Sequence, residues 1–306
     1  MLKKQNSNTM VGFSSFVPIL SILGAVLLWG SSFSAMRVVL RDLDPYAAVS
    51  CRLIVALVCI LPFLGRLMPK NYQKGDYKIL IPTVLLQPCL YFLFESNALK
   101  LTTSSQAGII TACVPVMVSF GAWLFLSETI SYKTIIGLFL SIAGVILLTL
   151  FQSSDGQALN PVLGNVLEIG AMICGACNMI LIKQLSSRYN TWTLTAMQVM
   201  AGALFFLPGL KGVIHSDPSI WTFQLIALLL FLGIFVSLIA FGLYNYGISK
   251  IPASKASIFI NLVPVTAVFL GWIALNEVLN TKQWIAASIV IFGVFLSNNK
   301  SVNYRD

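Results

Sequence analysis

Charged residues are scarce in this sequence. Only 9% of its 306 residues are Asp, Glu, Lys or Arg, whereas 58% are hydrophobic. Because soluble globular proteins carry about 25% charged residues, this composition excludes a soluble fold and indicates a membrane protein. His215 is the only histidine, and no GxxxxGK[ST] loop occurs. The sequence thus offers neither a metal-ligand set nor a site for nucleotide hydrolysis, and we expect no metal and no cofactor.

Long polar segments are scarce as well, and no loop is long enough for a soluble catalytic domain. Uncharged runs recur at about the ~20 residues that a helix needs to cross ~30 Å of hydrocarbon. The first run is too long for a signal peptide and lacks a clear cleavage site, so we expect a retained helix. We predict ten spans: Phe16 to Met36, Tyr46 to Gly65, Ile79 to Leu99, Ser104 to Ser127, Thr134 to Phe151, Leu163 to Ile182, Trp192 to Leu210, Trp221 to Gly247, Ala253 to Asn276 and Gln283 to Ser297.

The six cysteines all lie in predicted spans. Cys174 and Cys177 form a CGAC motif with the spacing of a redox site. The alternative is that these small side chains let helices approach closely, and the membrane setting favours this packing interpretation.

The formal net charge of +9 has a one-sided distribution. The basic residues do not form a patch interleaved with aromatics, so we expect no nucleic-acid partner. With the N-terminus inside, the inner loops and tails hold Lys3, Lys4, Arg66, Lys70, Lys74, Lys78, Lys133, Lys183, Arg188, Lys250, Lys255, Lys300 and Arg305, and the outer loops hold Arg37, Arg41, Lys100, Lys211 and Lys282. The bias predicts a multi-pass protein of the inner (plasma) membrane with both termini in the cytoplasm.

The sequence contains an internal repeat. The stretch VPVMVSFGAWLFLSE at 114–128 returns as VPVTAVFLGWIALNE at 263–277. An offset of 149 aligns Ala107 with Ala256, Pro115 with Pro264, Trp123 with Trp272, Glu128 with Glu277 and Gly144 with Gly293, and an offset of 146 aligns Arg52 with Gln198 and Pro62 with Pro208. We therefore predict two five-helix halves, residues 1–151 and residues 160–298.

Five helices per half is an odd number, so the second half enters the membrane upside down. The fold class that follows is an all-α integral membrane protein with ten transmembrane helices arranged as two inverted five-helix repeats. Secondary transporters have this architecture, with the substrate near the midplane.

Three segments resemble one transporter family: WGSSFSAMR at 29–37, NALKLTTSSQAGIITACVPVMVSFGAWLFLSE at 97–128 and NYGISKIPASKASIFINLVPVTAVFLGWIALNE at 245–277. They are similar to the EamA-type members of the drug/metabolite transporter superfamily. The resemblance implies an exporter or exchanger of amino acids, other small metabolites or amphipathic toxins. It also implies a cavity lined by the first, third and fourth helices and their repeat mates.

Polar side chains inside the predicted spans are candidates for the substrate pathway. Gln87, Tyr91 and Glu95 share one face of the third helix, and an ionised group there costs ~2.5 to 3.5 kcal/mol unless it faces a partner or a wet cavity. Tyr244 and Asn245 lie on the eighth helix. The alternative is that these groups join helices without touching cargo.

Prolines interrupt the two repeated helices. Pro115 deprives the carbonyl of Thr111 of its hydrogen bond, and Pro264 does the same for Ile260. We predict that both kinks line the cavity, with Thr111 and Asn261 as adjacent polar groups; packing kinks are the alternative. With Trp29 and Ser32 of the first helix, the predicted pathway comprises Trp29, Ser32, Gln87, Tyr91, Glu95, Thr111, Pro115, Tyr244, Asn245, Asn261 and Pro264.

The remaining intramembrane charges have simpler interpretations. Arg52 lies at the depth of Glu95, which predicts a structural salt bridge with Gln198 as the uncharged counterpart of Arg52 in the repeat. The alternative is a gate that substrate or a proton breaks. We interpret Glu128 and Glu277 as turn and cap residues, and Glu168 as an acid at a helix N-terminus.

The leading functional prediction is a secondary transporter that moves a small organic molecule outward by alternating access, with the proton as a candidate coupling ion. An intramembrane lipid-modifying enzyme would need a catalytic cluster that the sequence lacks, so we predict that the protein is not an enzyme. A membrane scaffold is a third hypothesis. Cargo identity, direction of transport and oligomeric state stay open.

Overall fold

The computed structural model describes residues 16–67, 72–126, 132–151 and 158–297. Every regular element within these ranges is helical. We number the helices α1 Phe16–Val39; α2 Pro45–Ile60 with Leu61–Phe63 and Leu64–Leu67; α3 Tyr77–Val84, Leu85–Leu90 and Tyr91–Leu101; α4 Ser104–Ile110, Thr111–Cys113 and Val114–Phe125; α5 Tyr132–Leu150; α6 Pro161–Leu185; α7 Thr191–Phe205, Leu207–Gly209 and Leu210–Ile214; α8 Phe223–Leu230, Phe231–Ala240 and Phe241–Lys250; α9 Ala253–Ile258, Phe259–Asn261 and Leu262–Leu275; and α10 Thr281–Ser297. A short 3₁₀ turn, Pro218–Ile220, precedes α8.

Seven of these helices, α1 to α4, α6, α8 and α9, are long and apolar enough to cross a membrane. The bent helix α7, whose two parts meet at 47°, would be an eighth. Among the described residues α5 has 19 residues and α10 has 17. The structure supports seven or eight of the ten predicted spans, and the crossing of α5 and α10 stays a prediction.

Several helices begin where a side chain caps the first turn. Asp44 accepts hydrogen bonds from the backbone of Tyr46 and Ala47, and Asn160 accepts one from Leu163. Thr222 caps α8 in the same way. These side chains satisfy backbone N–H groups that a helix start leaves without partners.

The two halves interrupt their helices at matching places. The third and eighth helices each contain a π-helical stretch, and the fourth and ninth each contain a 3₁₀ turn. The second and seventh helices are each interrupted near their end by a 3₁₀ turn that holds a repeat proline, Pro62 or Pro208. Proline removes a backbone donor, which explains these interruptions.

Glycines allow close packing of the repeated helices. A Cβ atom at Gly30 of α1 would lie 2.5 Å from the Cβ of Thr266 on α9, and one at Gly108 of α4 would lie 2.2 Å from the Cβ of Ala267. Helix α9 therefore packs so closely against α1 and α4 that neither glycine position has room for a Cβ atom.

The bundle has two ends, which we name after the basic residue found at each. At the Arg37 end, α1, α3, α7 and α9 finish and the even-numbered helices begin. At the Lys183 end, α2, α4, α6 and α8 finish.

Candidate functional site

A cavity of about 40 Å³ lies at the centre of the bundle. It has room for a few water molecules but not for an organic solute, which typically needs ~300 Å³ or more. Its lining comes from α1, α2, α3, α4, α6, α8 and α9: Trp29, Ser32, Phe33, Arg52, Gln87, Tyr91, Phe92, Glu95, Thr111, Val114, Met172, Gly175, Met179, Val236, Phe241, Ile260 and Val263.

Repeat mates line this cavity together. Four pairs of lining residues are separated by the same 149 positions: Gln87 and Val236, Phe92 and Phe241, Thr111 and Ile260, Val114 and Val263. The cavity is therefore built from equivalent positions of the two halves.

The structure brings part of the predicted pathway together. Trp29, Ser32, Gln87, Tyr91, Glu95 and Thr111 line the cavity, as does Arg52. The lining does not include Pro115, Tyr244, Asn245, Asn261, Pro264 or Gln198. For those six the structure gives positions beside the cavity, and a role in transport stays a prediction.

The prolines act on the cavity through their neighbours. Pro115 follows the 3₁₀ turn of α4, and Pro264 follows that of α9. The residues whose carbonyls they leave without a helical partner, Thr111 and Ile260, are both in the lining. Asn261 is not in the lining, and its buried Oδ1 has no hydrogen-bond partner among the described residues.

Gln87 marks a break in α3. Its backbone is extended (φ −143°, ψ 119°) because Pro88 follows it. Its carbonyl accepts a hydrogen bond from Nε2 of Gln198 at 3.1 Å. The amide of Asn245 in turn donates to Oε1 of Gln198 and to Oγ1 of Thr195, both at 3.0 Å. Gln198 and Asn245, which are not in the lining themselves, therefore stabilise the interrupted backbone at Gln87.

Arg52 and Glu95 form the predicted ion pair between α2 and α3. Nη1 of Arg52 lies 3.9 Å from Oε2 of Glu95. Nε of Arg52 donates to Oγ of Ser237 at 2.8 Å, and the guanidinium lies over the ring of Phe92, 4.2 Å from its centroid. The hydroxyl of Tyr91 donates to Oε1 of Glu95 at 2.9 Å. Both charges are buried, with exposed fractions of 1% and 5%.

Aromatic rings form one wall of the site. The ring of Trp29 lies 4.8 Å from that of Tyr244 and 5.5 Å from that of Phe241, centroid to centroid. The buried Nε1 of Trp29 has no hydrogen-bond partner among the described residues. The wall thus presents an apolar surface together with a donor that a ligand could use.

The interpretation of Glu168 as an acid at the start of a helix was wrong. Helix α6 begins at Pro161, so Glu168 lies about two turns inside it, and its exposed fraction is 0%. The predicted start at Leu163 is two residues later than the start in the structure, so Glu168 lies deeper in the helix than predicted.

Glu277 is a capping residue, as predicted, but it caps a helix of the other half. Its carboxylate accepts hydrogen bonds from the backbone and the hydroxyl of both Ser104 and Ser105 at the start of α4, at 2.6 to 2.9 Å. Its repeat mate Glu128 lies outside the described residues.

Sequence reasoning missed the apolar part of the lining. Phe92, Val114, Met172, Met179 and Val263 carry no polar signal. The offset of 149 could have found three of them, because Phe92 aligns with Phe241 and Val114 with Val263.

Comparison with known proteins places the fold in a family. The sequence profile of the EamA-like transporter family matches residues 16–150 and, a second time, residues 162–299. This chain belongs to the EamA-like transporter family. The predicted resemblance is therefore confirmed, and the protein is a multi-pass membrane protein of a transporter family.

Two relatives of this EamA-like protein are named as transporters without a stated substrate. The uncharacterized transporter YetK of Bacillus subtilis (strain 168) is 28% identical over 287 residues, which cover 90% of this chain and 85% of the relative. An uncharacterized transporter of Archaeoglobus fulgidus is 26% identical, with 89% of this chain and 95% of the relative covered. A solved crystal structure covers 92% of this chain and 98% of its own with a TM-score of 0.64; its 17% identity shows the fold alone.

Proposed function

We propose that this protein is a secondary transporter that carries a small organic solute through the central cavity by alternating access. The observation that carries the proposal is the cavity lined by repeat mates 149 positions apart. Two equivalent half-linings around one site suit a carrier whose halves exchange exposure. The small volume then corresponds to a closed conformation of the carrier.

The proposal includes ten spans in two inverted repeats, an inner-membrane location and both termini in the cytoplasm. The excess of Lys and Arg at the Lys183 end supports this orientation. A cysteine that replaces Lys211 should react with an impermeant maleimide added to intact cells, and one that replaces Lys74 should not. The reverse pattern would refute the orientation.

The chemistry of the lining suggests the class of solute. Trp29 and Phe241 supply aromatic surface, and the Arg52–Glu95 pair supplies one charge of each sign. An amino acid or another small amphipathic metabolite carries matching groups. Outward transport is the proposed direction in the cell.

Counterflow in liposomes tests the proposal. The purified protein is reconstituted, the liposomes are loaded with an unlabelled amino acid, nucleoside or cationic dye, and uptake of the labelled compound is measured. We expect one class to exchange above the level of protein-free liposomes. Exchange of none of them would contradict the proposed function and favour a scaffold or an enzyme acting on lipid.

A matched pair of variants ties exchange to the cavity. Val263→Phe fills space in the lining, while Val265→Phe places the same ring two residues away, where the side chain is 61% exposed. We expect exchange to be lost in the first variant and kept in the second, with similar melting temperatures. Equal exchange by both would remove the cavity from the pathway.

A further inference from the structure

Glu168 is a buried acid without a hydrogen-bond partner. Its exposed fraction is 0%, and neither carboxyl oxygen has a partner among the described residues. It interacts electrostatically with Glu95 and Tyr91 of α3. It lies four residues before Met172, on the face of α6 that lines the cavity with Gly175 and Met179. Glu168 is therefore one helical turn from the candidate substrate site.

The charges around Glu168 do not balance if it is ionised. Among the described residues, the buried cluster holds two acids, Glu95 and Glu168, and one base, Arg52. Arg52 and the hydroxyl of Tyr91 both engage Glu95, so Glu95 is the ionised partner. A carboxylate without donors inside the membrane costs far more than a neutral carboxyl group. Glu168 therefore holds a proton in this conformation.

Among the described residues, the other helices packed against α6 bring no competing base to this position, since Lys133 of α5 and Lys255 of α9 lie at the Lys183 end. Helix α3 faces Glu168 with Glu95 and Tyr91. The titratable side chain that α4 carries in its described part is Cys113, and the nearest from α8, Tyr244, contacts Met179 three turns further along α6. The proton on Glu168 is thus governed by the Arg52–Glu95 pair.

A chain of polar side chains lies between Glu168 and the Arg37 end. One turn before it on α6 lies Asn165, whose Nδ2 donates to Oε1 of Gln106 at 3.3 Å. The hydroxyl of Thr102 lies 2.8 Å from Oδ1 of Asn165 and 3.0 Å from Oε1 of Gln106. All three are buried between α4, α6 and the end of α3.

We propose that Glu168 is the binding site of the coupling proton and that the Thr102–Gln106–Asn165 chain connects it to solution at the Arg37 end. When this end opens, the carboxyl group exchanges its proton with water, and breaking the O–H bond leaves a carboxylate that Arg52 compensates. Protonation restores the closed pairing of Arg52 with Glu95. This inference rests on the proposed transport function.

Infrared spectroscopy of the purified full-length protein in lipid tests the proton without any knowledge of the cargo. We expect the wild type at neutral pH to show the carbonyl band of a protonated buried carboxyl group. Glu168→Gln should lose that band, and Asp217→Asn, which removes an exposed carboxylate, should keep it. A wild type without the band, or a Glu168→Gln variant that retains it, would overturn the inference.

Transport adds a second readout with the solute found by counterflow. Glu168→Gln mimics the protonated residue, so exchange without a pH gradient should continue while accumulation driven by a pH gradient is lost. Accumulation equal to the wild type would overturn the role of Glu168. If the wild type exchanges no solute, the proposed function fails by itself, and the infrared band still decides whether Glu168 holds a proton.

The route is tested by isotope exchange. In D₂O the carboxyl band shifts as deuterium replaces the proton, and the rate reports access of water to Glu168. We expect the double variant Thr102→Val with Gln106→Leu to slow this shift relative to the wild type. An unchanged rate would refute the polar chain as the route.

Discussion

At the Arg37 end and at the Lys183 end, a carboxylate of one half binds residues of the other half. We call each of these contacts a carboxylate tie. At the Arg37 end, Glu277 of the second half caps the start of α4 in the first half with four hydrogen bonds. At the Lys183 end, Asp76 of the first half contacts Arg188 at 2.7 Å and accepts a hydrogen bond from the hydroxyl of Tyr189. The first tie is buried, whereas the side chain of Arg188 is 36% exposed.

Arg37 and Lys183 each donate a hydrogen bond to a backbone carbonyl of their own half. Arg37 donates to the carbonyl of Leu99, and Lys183 donates to the carbonyl of Ile248. The donors are 146 positions apart and the acceptors 149, so these are the same contact in the two repeats. Each lies within one half. Under alternating access the basic contacts can persist, while a carboxylate tie must break whenever its end opens.

Removing Glu277 should have the largest effect. Glu277→Ala leaves the first N–H groups of α4 and two hydroxyls without their acceptor, and hydrogen bonds to a charged group contribute roughly 1.5 to 3 kcal/mol. We expect a lower melting temperature and a more open Arg37 end. Ser34, buried beside Ser104, reports the opening when it is replaced by cysteine in a chain without native cysteines.

An impermeant thiol reagent added outside should label Ser34→Cys faster in the Glu277→Ala chain than in its parent. Asp217→Asn is the control, because Asp217 accepts a hydrogen bond from Ser219 in its own turn. Equal labelling rates in all three chains would show that Glu277 does not hold this end closed.

Removing Lys183 should have a smaller effect of a different kind. Its Nζ donates to the carbonyls of Ile248, Ser249 and Ile251, at 3.0, 3.4 and 2.9 Å. Lys183→Met leaves these carbonyls at the end of α8 to water, so we expect a loss of ~1 to 3 kcal/mol in stability. Because the contact lies within one half, labelling of Ser34→Cys should not change.

Lys250→Met provides the control for Lys183→Met, because it removes an exposed cation at the same end that lies over the ring of Tyr246. Its melting temperature should stay near that of the wild type. Faster labelling of Ser34→Cys in the Lys183→Met chain would mean that the contact also couples the halves.

The sequence repeat predicted much of this arrangement because the fold reuses one backbone twice. Prolines at matching positions predicted the interruptions of α4 and α9, since a missing N–H has the same consequence in both halves. The π-helical stretch of α8 was not predicted, because Phe231–Ala240 contains no proline to signal it.

The site was predicted where polarity inside a span is costly and missed where it is not. Gln87, Tyr91 and Glu95 are conspicuous because the bilayer penalises them, and the depth match of Arg52 with Glu95 correctly predicted their pairing. The contact of Glu277 with Ser104 joins residues 173 positions apart, and no local pattern encodes that distance. The position of Glu168 was misjudged because its depth in the helix depends on where α6 begins.

Asp76 should give the smallest effect and one that depends on pH. The hydroxyl of Tyr189, the backbone N–H of Gln73 and the guanidinium of Arg188 lower the pKa of Asp76 to about 2, below its usual value of ~3.9. A carboxyl group whose pKa is depressed by folding stabilises the fold above the unfolded pKa, and this contribution is lost as the pH falls toward 2.

The melting temperature of the wild type should therefore fall more between pH 5 and pH 3 than that of Asp76→Asn, which lacks the titrating group. Tyr189→Phe removes the largest cause of the low pKa and should give an intermediate slope. If the melting temperatures of all three chains fell equally with pH, the contacts of Asp76 would not stabilise the Lys183 end. Of the two carboxylates, only Glu277 would then hold the halves together.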